Sequence, residues 1–167
     1  LALRQHVRMY RFMHLSFTDS TLPPAKAYPP RPEVTLSFYP RDSEKVSYDD
    51  GRLINPVRSA LIGQQSVVSH RHVGKEFLMV QIVFQPGGLY RLTGIPTIDL
   101  NNQYFDAEAV LGNDAKALNE RLTNIEDYPK MIPVVEDFLL GLVKKSAYEI
   151  RPIDKVGIAM LQNVNHY

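Results

Sequence analysis

His70 and His72 lie two residues apart, four residues ahead of the carboxylate of Glu76. Residues i and i+2 of a strand share a face, so both imidazoles could point the same way. Two histidines and one carboxylate make a metal set that leaves coordination positions open. Two features of the sequence oppose that chemistry. Val73-Gly74-Lys75 reads as a turn, which carries Glu76 onto the following strand, and after His72 the next histidine is His166, in the terminal segment. The pair is therefore read as surface or pore-mouth histidines. His70, His72 and Glu76 stand as the candidate metal ligands, and no cofactor is assigned.

Other chemistry-bearing residues have simpler readings. Gly87-Gly88 ahead of a helical turn could cradle an anion, but neither a P-loop nor a Gly-x-Gly-x-x-Gly context surrounds it, so a chain reversal is expected. No Gly-x-Ser-x-Gly elbow supports hydrolase chemistry. Asp49-Asp50 precede Gly51, where turn formation accounts for them. The absence of cysteine excludes disulfides, thiolate metal sites and thiol nucleophiles. Tyr10, Tyr39, Tyr90 and Tyr104 could line a ligand pocket, each offering an apolar face and a polar tip.

The elements that would position these groups follow from periodicity. Phe77–Phe84 is an almost unbroken apolar run fit for a buried central strand. Pro86 ends its pairing, Leu89–Thr93 forms one helical turn, and Gly94 closes it. Before this stretch, strands are expected at Val7–Phe17, Val34–Tyr39, Arg52–Val57, Ala60–Gln64 and Ser66–His72. A hairpin turn is expected at Asp50-Gly51. Residues 19–32, with prolines at 23, 24, 29, 30 and 32, read as a surface loop, and residues 40–50 are polar. After it the period becomes helical. Helices are expected at Asp106–Leu111, from Asn113 or Asp114 to about Leu122, from Pro133 to Lys145, and from Pro152 onward. The last carries an apolar stripe of Ile153, Val156, Gly157, Met160, Leu161 and Val164, suited to its own core, to a second subunit or to a further domain.

The fold class is thus α+β: an N-terminal antiparallel β unit over about residues 1–85, then a helical unit over about 86–167, forming one domain. A formal net charge of +1, with scattered Lys and Arg, offers no basic face for nucleic acid. No apolar run approaches the roughly 18 residues of a membrane span, and a cytoplasmic location is expected.

Several segments together resemble the N-terminal, non-DNA-binding domain of AraC-type transcriptional regulators, in a subgroup with no assigned ligand. They are Leu3…Val7…Tyr10, Arg31-Pro-Glu-Val-Thr-Leu-Ser-Phe38, Ala60-Leu-Ile-Gly63, Phe84-Gln-Pro-Gly-Gly-Leu-Tyr-Arg-Leu-Thr-Gly-Ile-Pro96, Val110-Leu-Gly112…Leu118-Asn-Glu-Arg-Leu122, and the helix from Pro152. The Phe-x-Pro-Gly-Gly stretch is the most specific part. The resemblance implies a cupin-like barrel that holds a small effector, helices that make a homodimer, and a helix-turn-helix domain after residue 167 through which DNA is read. Alternation and resemblance together predict that Val34, Leu36, Phe38, Leu78, Val80, Ile82 and Phe84 face the barrel interior. The candidate ligand pocket is Phe38, Tyr39, Val80, Ile82 and Phe84. Two alternatives stay open. One is a metal-dependent cupin-type enzyme, since Gly63…His70-Arg-His72-x3-Glu76 is similar to a cupin metal motif with Gly63 one residue too distant. The other is a barrel that only assembles subunits.

Overall fold

The computed structural model describes residues 2–18 and 25–162. Residues 19–24 of the expected proline-rich loop, Val164 and His166 lie outside the described residues. The elements run β1 (Val7–Ser16), β2 (Lys26–Tyr28), β3 (Thr35–Phe38), β4 (Glu44–Tyr48), β5 (Leu53–Ile54), β6 (Ser59–Ile62), β7 (Ser69–Val73), β8 (Glu76–Phe84) and α1 (Gly88–Thr93). A 3-10 turn (Thr97–Leu100), β9 (Tyr104–Asp106), α2 (Ala107–Leu111), α3 (Asn113–Thr123), α4 (Tyr128–Lys145) and α5 (Pro152–Gln162) follow.

The strands form two antiparallel sheets, ordered β1-β8-β3-β6-β9 and β2-β7-β4-β5. Among the described residues they do not pair into one closed barrel, so the expected barrel is corrected to a two-sheet sandwich with helices stacked outside its larger sheet. The turn at Val73–Lys75 is where the chain changes sheets: β7 belongs to the smaller sheet and β8 to the larger. The hairpin at Asp50-Gly51 forms as expected. Gly51 takes φ +87°, and its N–H donates to the Tyr48 carbonyl at 3.0 Å.

Strand β8, between β1 and β3 in the larger sheet, is covered on both faces. Leu78, Val80, Ile82 and Phe84 pack with Leu36, Phe38 and Leu61 against Leu118, Leu122, Met131, Val135 and Leu139 of the helices. The ring of Phe138 meets Phe38 edge-on at 6.1 Å. Phe77 and Met79 point the other way, packing with Tyr39, Ala60 and Ile62 between the sheets. The registers β1–β8, β3–β8 and β3–β6 all obey this parity, since directly paired residues share a face. The expected orientation is therefore reversed. The alternating set at 34, 36, 38, 78, 80, 82 and 84 faces the helical layer, and Thr35, Ser37, Tyr39, Met79 and Gln81 face the sandwich interior. In that interior the buried Gln81 amide donates to Ser37 Oγ at 2.9 Å and to Thr35 Oγ1 at 3.5 Å. It accepts from Arg11.

Helix α4 starts one and a half turns before the expected Pro133. Met131, Val135 and Leu139 recur at i, i+4, i+8 and all reach 0% exposure, so the apolar stripe draws the earlier turn into the helix. Pro133 forfeits one hydrogen bond, to the carbonyl of Pro129. Three strands were not foreseen: β2, β4 and β9. In β4 the alternation Glu44, Val46, Tyr48 is the buried face.

Candidate functional site

The histidine pair is split from Glu76 by the parity of β7. Arg71, between the histidines, points into the sandwich, where it meets Glu44 and Tyr104. His70 and His72 therefore point outward. His70 Nε2 lies 2.8 Å from Asp49 Oδ1, and His72 Nε2 lies 3.1 Å from Ser47 Oγ. Glu76 sits on β8 beside Ser16 and His14. The three candidate metal ligands do not converge. Among the described residues no group of three His, Cys, Asp or Glu stands where it could hold a metal ion.

The outward turn of the histidines places a polar hub between the sheets. Glu44 Oε1 accepts from Arg71 at 2.8 Å and from Tyr39 Oη at 2.7 Å, while Oε2 accepts from Arg71 at 3.1 Å. The other arm of the Arg71 guanidinium donates to Tyr104 Oη at 2.6 Å, and its Cζ lies 4.2 Å from the Tyr28 ring centre. Both ions are largely buried, with side chains 13% and 4% exposed. Burial opposes the charge on Arg71, but the Glu44 carboxylate together with the Tyr104 and Tyr39 hydroxyls outweighs it and keeps the guanidinium ionised. Burial, then the Glu44 charge, pushes the Tyr39 hydroxyl far above the ordinary phenol range. Burial does the same to Tyr104 despite the opposing pull of Arg71.

Above this hub opens a cavity of about 250 Å³, walled by Met13, Leu15, Phe17, Val73, Phe77 and Met79, with Lys26 and Tyr28 at β2. Its composition, apolar walls around a few fixed polar groups, is that of a small-molecule site. Of the predicted pocket residues only Tyr39 lies on this side, as a support of Glu44. Phe38, Val80, Ile82 and Phe84 are filled core under the helices. Tyr104 belongs to the hub. Tyr10 reaches Glu136 on α4 at 3.4 Å, and Tyr90 packs on Tyr148 at 4.9 Å between ring centres.

A second cluster sits at the far end of β8. Gly87 and Gly94 bound α1 with φ of +67° and +74°, as the sequence implied. Gly87 is also a contact point. A side chain there would collide with the carboxylate of Asp154 on α5, one at Gly88 would collide with the His6 carbonyl, and one at Gly157 would meet the ring of Pro86. The anion that Pro86-Gly87-Gly88 accommodates is thus internal. Asp154 Oδ2 accepts from Arg91 at 2.9 Å and from the Arg151 amide at 3.0 Å. Arg91 also donates to the Pro86 carbonyl at 3.2 Å and to the Gln5 carbonyl. Burial raises the Asp154 carboxyl, but the Arg151 and Arg91 hydrogen bonds outweigh it and hold it below its ordinary value of 3.8. His6, packed against this cluster, has its basicity lowered by burial and then by the Arg91 charge.

Asp154 is the buried residue of α5. Ile153, Val156 and Met160 remain 66%, 53% and 60% exposed, so the predicted apolar stripe is largely uncovered. Sequence reasoning missed Glu44, Arg71, Arg91 and Asp154. The one available signal was the alternation Glu44-x-Val46-x-Tyr48, hidden in a stretch that reads as polar.

No family model matches the chain, and no curated protein matches it. Among the solved structures it is similar to is that of the AraC-like transcriptional activator CuxR. That match has 15% sequence identity and a TM-score of 0.36, covering 87% of this chain and 59% of the other. This chain thus spans less than two thirds of that protein's length. No helix among the described residues is long and apolar enough to cross a membrane.

Proposed function

We propose that this chain is the effector-sensing and dimerisation part of an AraC-type bacterial transcription regulator, working in the cytoplasm. The observation that carries the reading is the double role of β8. One end of the strand walls the inter-sheet cavity through Phe77 and Met79. The other end runs into Pro86-Gly87-Gly88, the seat of α5. A small effector between the sheets would favour one set of strand positions, and α5 would follow by population shift. The two-sheet sandwich supports a cupin-like, jelly-roll kinship. The uncovered stripe Ile153, Val156, Met160 supports a homodimer. The Phe84–Pro96 stretch, on which the resemblance to AraC-type regulators chiefly rests, is the segment that joins cavity to α5. In the parent protein a helix-turn-helix domain after residue 167 would read DNA. The outward histidines leave the metal-dependent enzyme without its ligand set.

Two measurements test this. Translation of the coding region beyond Tyr167 should give two helix-turn-helix patterns, and a stop codon there overturns the regulator reading. Sedimentation equilibrium of this chain should give a dimer that Val156→Glu weakens, and a strict monomer at high concentration removes the dimerisation role.

A further inference from the structure

Deepening the sensing reading, on which it rests, we infer that the cavity between the sheets takes an uncharged, predominantly apolar molecule and rejects anions and cations. The volume of about 250 Å³ is roughly that of eight liquid water molecules, enough for a one- or two-ring hydrocarbon skeleton. Its upper walls, Met13, Leu15, Phe17, Val73, Phe77 and Met79, carry no charge and no hydrogen-bonding hydrogen. Two of the three ions at the cavity, Glu44 and Arg71, lie in the floor, and each supplies the other's counter-charge, with only the Arg71 Nε–H left without a hydrogen-bond partner. Both oxygens of Glu44 are held by Arg71, and one also by Tyr39. The guanidinium in turn holds Tyr104 and lies over Tyr28.

An anionic ligand at Arg71 would meet the repulsion of the Glu44 carboxylate or, by drawing Arg71 away, strand that carboxylate in a buried site. A cation would strand Arg71 in the same way. Either exchange leaves an uncompensated buried charge, the costliest outcome for such a pair. Lys26 is the remaining charged group at the cavity, and it is exposed at the rim, where water and salt screen it. An apolar guest asks for none of these exchanges and gains by leaving water.

The test uses two fluorescent probes on one two-ring system: neutral naphthalene and its sulfonated counterpart, naphthalene-1-sulfonate. Each is titrated against the folded chain. The neutral probe should bind once per chain, at least about tenfold tighter than the sulfonate. Met79→Trp, which fills the cavity, should weaken the neutral probe by about tenfold or more. Val73→Phe serves the same purpose should Met79→Trp fail to fold. Glu44→Gln frees the Arg71 charge, so it should tighten the sulfonate selectively. The inference is overturned by a sulfonate that binds as tightly as the neutral probe and is displaced by the filling variants. No neutral binding, or neutral binding indifferent to both filling variants, also overturns it. Neither probe reports on the sequence after Tyr167 or on dimerisation, so a failure here is separable from a failure of the regulator reading.

Discussion

Replacing Asp154 with alanine should release α5 while leaving the rest of the domain folded. Arg91 and Asp154 form an ion pair at 2.9 Å, with side chains 1% and 3% exposed. Removing one partner of such a pair costs about 3–5 kcal/mol, because the other charge stays buried without compensation. Arg91 keeps its bonds to the Pro86 and Gln5 carbonyls, so the lower end, about 3 kcal/mol, is expected. Little opposes the release, since Ile153, Val156 and Met160 of α5 are mostly in water. At about 1.4 kcal/mol per factor of ten, the opening equilibrium of α5 should rise by roughly two powers of ten. Hydrogen–deuterium exchange read by mass spectrometry checks this by comparing peptides from 150–162 with peptides from 77–84. The first set should lose protection by about that factor and the second should not change. Asp154→Asn keeps the shape and should do less, and the apolar pair Arg91→Met with Asp154→Leu should recover much of the docking. Unchanged protection in 150–162, or equal loss in β8, refutes the idea that this pair is the main hold on α5. Acid should act in the same direction. The Asp154 carboxyl is depressed in the folded state. Its contribution is therefore complete above the ordinary value of 3.8 and lost as pH falls through the lower folded value.

Three further outcomes follow from the same geometry. Phe38→Ala, which empties a site at 0% exposure between sheet and helices, should cost about 3–5 kcal/mol in urea unfolding followed by far-ultraviolet dichroism. His70→Ala and His72→Ala, both outward on β7, should each shift stability by within about 0.5 kcal/mol in the same assay. The hydroxyls of Tyr39 and Tyr104 are raised in the folded state. Their stabilisation is therefore full below the ordinary phenol value of 10.0 and declines as pH climbs past it. Phenolate absorbance should show these two ionising only together with loss of the folded dichroism signal.

The change from strand to helix near Pro86 was legible because proline, paired glycines and the apolar run are local signals. The helical stripes were legible for the same reason, apart from the start of α4, where Pro133 looked like a first turn and the spacing Met131-Val135-Leu139 reached further back. The inward face of the larger sheet was not legible. Every residue from Phe77 to Phe84 is buried, and a strand covered on both sides has no polar edge to mark its orientation. The hub was hidden by the opposite effect. Glu44 and Arg71 are 27 positions apart, and each alone signals solvent. Their burial becomes comprehensible once the sheets bring them together and each supplies the other's counter-charge. Arg91 and Asp154, 63 positions apart, repeat that lesson at the seat of α5.

The lone amide in β8 has a consequence for how the chain finds its pairing. With apolar side chains on both faces, sliding that strand by one position would still bury hydrocarbon on each side, so hydrophobicity alone barely distinguishes the alternatives. Gln81 does distinguish them. Displaced by one, its carboxamide would leave Ser37, Thr35 and Arg11 and enter the greasy layer beneath the helices, stranded without a bonding partner at about 1–3 kcal/mol. One glutamine thus keys the assembly of the larger sheet, as a notch keys a lock.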